Sequence, residues 1–162
     1  MADDLLTEHD LALLRQVIAV SEHAKARGDH PFGALLTDVA GQVLLTAENS
    51  VVTGRDVTGH AETNLVRAAC ARYTSVELAA CSLYSSCEPC AMCAGATYWS
   101  GIGRVVFALS ELSLRAIASS QQGTPTMNLP CRTVFAAGRR ATTVLGPAIE
   151  SEAATPHHGF WH

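Results

Sequence analysis

Apolar residues at Leu11, Leu14 and Ile18, followed by Ser21, keep helical spacing through residues 8–27 and stop before Gly28-Asp29. The pattern predicts an amphipathic helix with a glycine stop. Two apolar runs, 32–37 and 42–47, flank a turn at Asp38–Gly41 and predict a β-hairpin. Residues 50–59 are polar and punctuated by glycine, so they read as a loop, with Thr58 as N-cap of a helix over 60–73. Residues 81–86 read as a short strand. Pro89 suits the first turn of a helix over 90–100, which Gly101-Ile102-Gly103 ends. The near-continuous apolar run RVVFAL at 104–109 predicts a strand buried on both faces. Beyond it, 110–121 read as a helix, 122–131 as a loop, 132–137 and 141–146 as strands, and 147–154 as a short helix. Strands alternating with helices after an opening hairpin predict a mixed sheet between helical layers.

Composition narrows the class. With 162 residues, 48 % hydrophobic and 16 % charged, the chain reads as one globular domain over 1–162 that needs no disulfide staples. A net charge of −4 and a single lysine, Lys25, argue against a phosphate-tracking surface. The nearest basic feature, Arg139-Arg140, reads as a solvated turn. The opening MADDLLTEHD is acidic where a signal peptide is positive, which argues against secretion. No stretch approaches ~18 uninterrupted apolar residues, so no membrane span is expected. Six cysteines in a chain expected to be cytoplasmic read as thiols or metal ligands. Cys70, Cys81 and Cys131 sit singly among apolar neighbours and read as buried small hydrophobes.

The other three cysteines, Cys87, Cys90 and Cys93, crowd into SCEPCAMCAGATYW at 86–99. A CxxC pair alone fits a redox couple, a zinc knuckle or a catalytic metal site. A structural zinc site needs a second close ligand pair, and the chain offers only His157-His158, in its tail. What it does offer is His60-Ala61-Glu62, at a predicted helix start one helix and one strand upstream. His60, Cys90 and Cys93 would leave a fourth tetrahedral position open, as a catalytic zinc requires. Such an ion lowers the pKa of a bound water from about 15.7 to near 7. Glu62, not itself a ligand, can take that water's proton and pass it to a leaving group. Residues two apart project at about 200° on a helix, so His60 and Glu62 reach one point only if the site lies in front of the first turn. Two helix N-termini aimed at the metal favour thiolate over thiol. Ala91, Ala94 and Gly95 allow close helix packing, and Cys87 reads as a buried neighbour of the site.

H-x-E…P-C-x-x-C is the pattern of zinc nucleobase deaminases. Together with HPFGALL at 30–36, AENSVVTGRDVTGHAE at 47–62, LYSSCEPCAMCAGATYW at 83–99 and GRVVFA at 103–108, it covers most of residues 30–109. The chain resembles the cytidine/deoxycytidylate deaminase-like superfamily, in the branch of bacterial guanine, cytosine and tRNA adenosine deaminases. The resemblance implies one Zn2+ per subunit on His60, Cys90 and Cys93, and Glu62 as proton shuttle. It also implies hydroxide attack on an amidine-type ring carbon with release of ammonia. Asn49 matches a ring-binding asparagine, Phe32 a pocket-wall aromatic, and the Ala61 backbone N–H a further ring contact. The pattern and the resemblance together predict an α/β fold: a three-layer α-β-α sandwich around a mixed five-stranded sheet that opens with a β-hairpin. A homodimer is expected.

The tail, 156–162, ends in Gly159-Phe160-Trp161-His162. Two large aromatics in water would be an odd use of surface, so this segment, with His158, is expected to fold over a pocket, its own or a partner's, as an active-site lid. Trp99 reads as packing or interface. PFGA and TYW look more like guanine deaminases than tRNA deaminases, yet Leu114 stands where guanine deaminases carry an acid. Glu111 is the nearby alternative. The expected substrate is therefore a small amino-substituted heterocycle: guanine, an isomeric or modified purine, cytosine or a triazine. A tRNA adenosine substrate is the alternative, and a non-catalytic zinc module or thiol redox protein the reading from outside the class.

Overall fold

A computed structural model of the chain describes residues 5–118 and 126–161. Its elements are α1 (Glu8–Ala26), β1 (Gly33–Thr37), β2 (Val43–Glu48), α2 (Val51–Gly54), α3 (Ala61–Cys70), α4 (Ser75–Leu78) and β3 (Ser82–Cys87). There follow α5 (Ala91–Ser100), β4 (Arg104–Leu109), α6 (Glu111–Ala118), α7 (Cys131–Ala136), β5 (Thr143–Leu145), α8 (Glu150–Ala154) and a 3-10 turn (Thr155–His157). The strands form one sheet in the order β2-β1-β3-β4-β5, with β1 antiparallel to β2 and β3, and β3, β4 and β5 parallel.

Adjacent strand residues point to opposite faces, and here both faces are covered. Leu36, Leu83, Val105 and Phe107 pack with Leu65 of α3, Ala94 of α5 and Phe135 of α7. Leu35, Tyr84 and Val106 pack with Leu13, Leu14 and Val17 of α1 and Ala153 of α8. This is the three-layer arrangement the pattern predicts.

Local chemistry sets the ends of the elements. Thr7 and Asp10 form a reciprocal capping box that starts α1. Gly101, at φ +96°, closes α5 in a left-handed conformation that a side chain adopts only with strain. Asp10 also accepts hydrogen bonds from the Tyr84 hydroxyl at 2.6 Å and Arg104 Nη1 at 3.0 Å, which pins the start of α1 to the sheet.

Four expectations are corrected. Residues 132–137 are not a strand. Pro130 starts α7 there, and Cys131 and Phe135, one turn apart, face inward. Thr58 is not the N-cap of α3: its hydroxyl bonds Asp56, and Gly59 carries the chain on to His60, which holds the N-cap position. The helix predicted to run to 73 stops at Cys70, with α2 inside the stretch 50–59 read as a loop. Cys70 is exposed, because Leu65, Val66 and Ala69 take the inward face of α3 and residue 70 turns past it. Of the helix expected over 110–121, residues 111–118 are helical. Residues 119–125 and 162 lie outside the described residues.

Candidate active site

His60 and Cys90 occupy equivalent places, the N-caps of two ten-residue helices, α3 and α5. Both have extended backbone, with ψ 153° and 171°, and neither side chain caps its helix, so both are free to point forward. Cys93 follows one turn into α5 and is fully buried. His60 Nδ1 lies 3.6 Å from Cys90 Sγ and 3.5 Å from Cys93 Sγ. Among the described residues these three form a group whose ligand atoms all lie within 4.8 Å of one another.

Zinc bonds of about 2.0 Å to nitrogen and 2.3 Å to sulfur, set at tetrahedral angles, require N···S distances of about 3.5 Å. The geometry therefore fits zinc, and so does the charge. Cys93's hydrogen bond, and then that of His60, draw Cys90 down to about 4. The same sulfur contact drives the Cys93 thiol upward. Two sulfurs this close hold one proton between them, and a cation is what lets both ionise. His60 is raised, chiefly by its hydrogen bond to Cys90.

Glu62 sits on the second residue of α3, only 4 % exposed. Ser85 Oγ of β3 donates to its Oε1 at 2.7 Å, and Oε2 lies 3.5 Å from Cys93 Sγ. Burial pushes the Glu62 carboxyl up, against the Ser85 hydrogen bond that favours ionisation. It is thus a carboxyl that can hold a proton beside the ligand group without joining it. The 200° problem is resolved as expected: the site faces the helix end, not its flank.

In front of these groups opens a cavity of 460 Å³, walled by Phe32, His60, Glu62, Cys90, Glu111 and Trp161, with Leu114 and Met127 also in its lining. Of the remaining residues singled out in the sequence, Ala61, Asn49, Phe160 and His158 are not among those that line it. Ala61 is buried, its N–H on the first turn of α3 without an intrahelical acceptor. Asn49 is buried, its Oδ1 takes the Val51 N–H at 3.0 Å, and its amide nitrogen has no partner. Phe160 does not line the cavity; its ring packs edge-on against Trp161 at 5.0 Å and His30 at 5.9 Å. His158 is exposed. Cys87 is buried, and its thiol is pushed well up by that burial.

Several contributors escaped sequence reasoning. Ser85 was hidden in a strand read only as SLYSS, although a serine on the face turned to α3 was the available signal. His30 and Met92 line the cavity. His157 lies flat against Trp161, with 8° between the rings at 6.0 Å. Glu111, which the sequence did offer as the alternative acid, is half-buried, and burial first, then the negative charges of Cys90 and Glu88, raise its carboxyl to about 7.

The comparisons with known proteins agree with this geometry. The description of the cytidine and deoxycytidylate deaminase zinc-binding region matches residues 7–109. The chain is 43 % identical to a probable cytosine deaminase of Schizosaccharomyces pombe over 161 residues, 99 % of this chain and 98 % of that one. It is 39 % identical to a guanine deaminase of Bacillus subtilis over 100 residues, 62 % of this chain and 64 % of the relative. The crystal structure of the guanine deaminase from Nitrosomonas europaea shares its fold with a TM-score of 0.74 at 26 % identity, covering 94 % of this chain and 84 % of that one. A chain whose three ligand atoms already stand at zinc-bonding distances belongs to the cytidine and deoxycytidylate deaminase zinc-binding family.

Proposed function

We propose that the chain is a hydrolytic deaminase of a free nucleobase or similar amino-substituted heterocycle, with His60, Cys90 and Cys93 as zinc ligands and Glu62 as proton carrier. The observation that carries the reading is the ligand triangle with one open side, facing a 460 Å³ cavity that also receives Glu62. A zinc ion held there supplies Lewis acidity and brings the pKa of water to about 7.

The chain's own groups do the rest. Glu62, steadied by Ser85, accepts a proton from the attacking water and returns it to the departing amine. Phe32 and Trp161, their ring centroids 6.0 Å apart and tilted by 50°, form one continuous aromatic wall against which a flat ring can lie. The unpartnered amide of Asn49 and the free N–H of Ala61 are the donors closest in character to what a ring nitrogen or carbonyl needs. Leu114 leaves its part of the wall apolar, and Glu111, one turn earlier on α6, brings a carboxyl to the same cavity. That carboxyl is suited to a ring edge presenting N–H groups.

Identity to both cytosine and guanine deaminases supports the substrate class. A tRNA substrate fits less well: the net charge is −4, and Trp161 stands across the cavity. Six unpaired thiols suit a reducing compartment such as the cytoplasm, and no described helix is long and apolar enough to cross a membrane. The whole chain is read as one deaminase domain. On α5, Met92 and Trp99 are exposed on the side where Gly95 opens to empty space. That face supports a homodimer.

The test is ammonia release by the zinc-loaded protein from guanine, isoguanine, cytosine, adenine, melamine-type triazines and an anticodon stem-loop RNA. Glu62→Ala should keep one zinc per chain and lose at least about a hundredfold in kcat. Full activity in that variant refutes the assignment.

A further inference from the structure

Glu88 stands between Cys87 and Pro89, on the loop that delivers Cys90. The chemistry above does not use it, yet it is a carboxylate only 8 % exposed. Its backbone N–H donates to the carbonyl of Leu109, at the end of β4, at 2.7 Å. Its two side-chain oxygens are divided between distant pieces of chain. Oε2 accepts the Glu111 N–H at 3.0 Å, and Oε1 accepts the Cys131 N–H at 2.9 Å. The Cys131 thiol hydrogen-bonds the same carboxylate.

Both backbone donors are first residues of helices, α6 and α7, and such N–H groups have no acceptor within their own helix. Pro130, at the N-cap of α7, makes no side-chain cap bond. Glu88 therefore caps two helices from a third place in the fold. The described residues adjoining those two caps, 111–118 and 126–131, supply Glu111, Leu114, Ala118, Thr126 and Met127 to the cavity wall.

We propose that Glu88 is a positioning residue for substrate binding: its carboxylate clamps the starts of α6 and α7 to the loop that carries Cys90, and so sets the distance from the cavity wall to the reacting centre. The proposal rests on the deaminase reading for its kinetic consequence but not for its geometry. A carboxylate is the side chain this clamp needs. Glutamine has a single acceptor oxygen, so its NH2 would face one of the two N–H donors. Aspartate is one methylene short of spanning both.

The experiment compares the zinc-loaded full chain with Glu88→Gln, using steady-state kinetics on cytosine and guanine, zinc analysis and amide hydrogen exchange. Loss of one charge-assisted bond should raise KM about tenfold. The metal ligands and Glu62 are untouched, so kcat should stay within about threefold and zinc at wild-type content. Exchange at the Glu111 and Cys131 amides should quicken. Cys131→Pro attacks the clamp from its other end. It deletes the N–H at a helix position that accepts proline, after a residue whose ψ of 139° suits a following proline. It should raise KM in the same direction, and it decides the matter if the glutamine variant does not fold. An unchanged KM, unchanged exchange at both amides, or a fall in kcat together with loss of zinc overturns the proposal. Wild-type failure on both bases and on the other heterocycles of the panel refutes the substrate reading instead, and the exchange measurement then decides the clamp by itself.

Discussion

His157 is an imidazole with 1 % exposure, both ring nitrogens unpartnered, held between Phe32 at 5.2 Å and Trp161. Burial, aided by the positive Lys25 and by His158, lowers its pKa from 6.5 to about 4. In the unfolded chain the ring takes its proton near 6.5, whereas in the fold it does so only near 4. Between those values the unfolded chain binds the extra proton, so stability falls as pH falls. The contribution is fully present above 6.5, and its loss amounts to about 3 kcal/mol by pH 4. His157→Phe should flatten this part of the stability–pH curve, measured by urea melts at pH 7 and pH 4.5. A slope equal to wild type would show that the ring is solvated.

Elements bring such residues together, and they differ in how openly the sequence declares them. α1, the hairpin, β3, α5 and β4 were legible because period and stop signals agreed at each. His60, Cys90 and Cys93 were legible for the same reason: a metal site needs particular donors at particular spacings, and helix starts carry recognisable signals. The stretch 131–136 was not legible. Six residues with two β-branched members carry no reliable period, and what makes them helical is Pro130 together with a carboxylate 43 positions away. Ser85 and Glu88 were hidden likewise, since their work depends on partners from other elements. The C-terminal strap was legible only as an oddity, two aromatics where solvent was expected. It is tied down by Lys25 Nζ, which donates to the Pro156 carbonyl at 2.7 Å, and by the ring cluster of His30, Phe32, His157 and Trp161. Truncation after Gly159 removes Trp161 from the cavity wall and Phe160 from behind it. KM should rise about tenfold or more, on the scale of losing one large buried aromatic, while zinc content holds. Unchanged kinetics would show that the strap is decoration.

At the scale of the molecule, Cys90 follows the C-terminal end of β3, and Glu111 follows that of β4, whereas Arg104, at the start of β4, joins the Asp10–Tyr84 cluster. Chemistry is gathered past the C-terminal ends of these strands, and anchoring involves the start of β4. Trp99, 83 % exposed on α5, lies outside both. Trp99→Glu should turn a species of twice the 17.1 kDa chain mass into one of single mass in sedimentation velocity, weakening association by at least about a hundredfold. A wild-type protein that sediments as a single chain removes the dimer from the proposal. The placement of Trp161 also governs how the protein can be handled. Residues appended after it must depart beside the mouth through which a heterocycle enters, so an affinity handle or fusion partner joined there competes with the ligand for space. Joined ahead of Leu5, which lies with Asp10, Tyr84 and Arg104, the same handle emerges among residues that do not line the cavity.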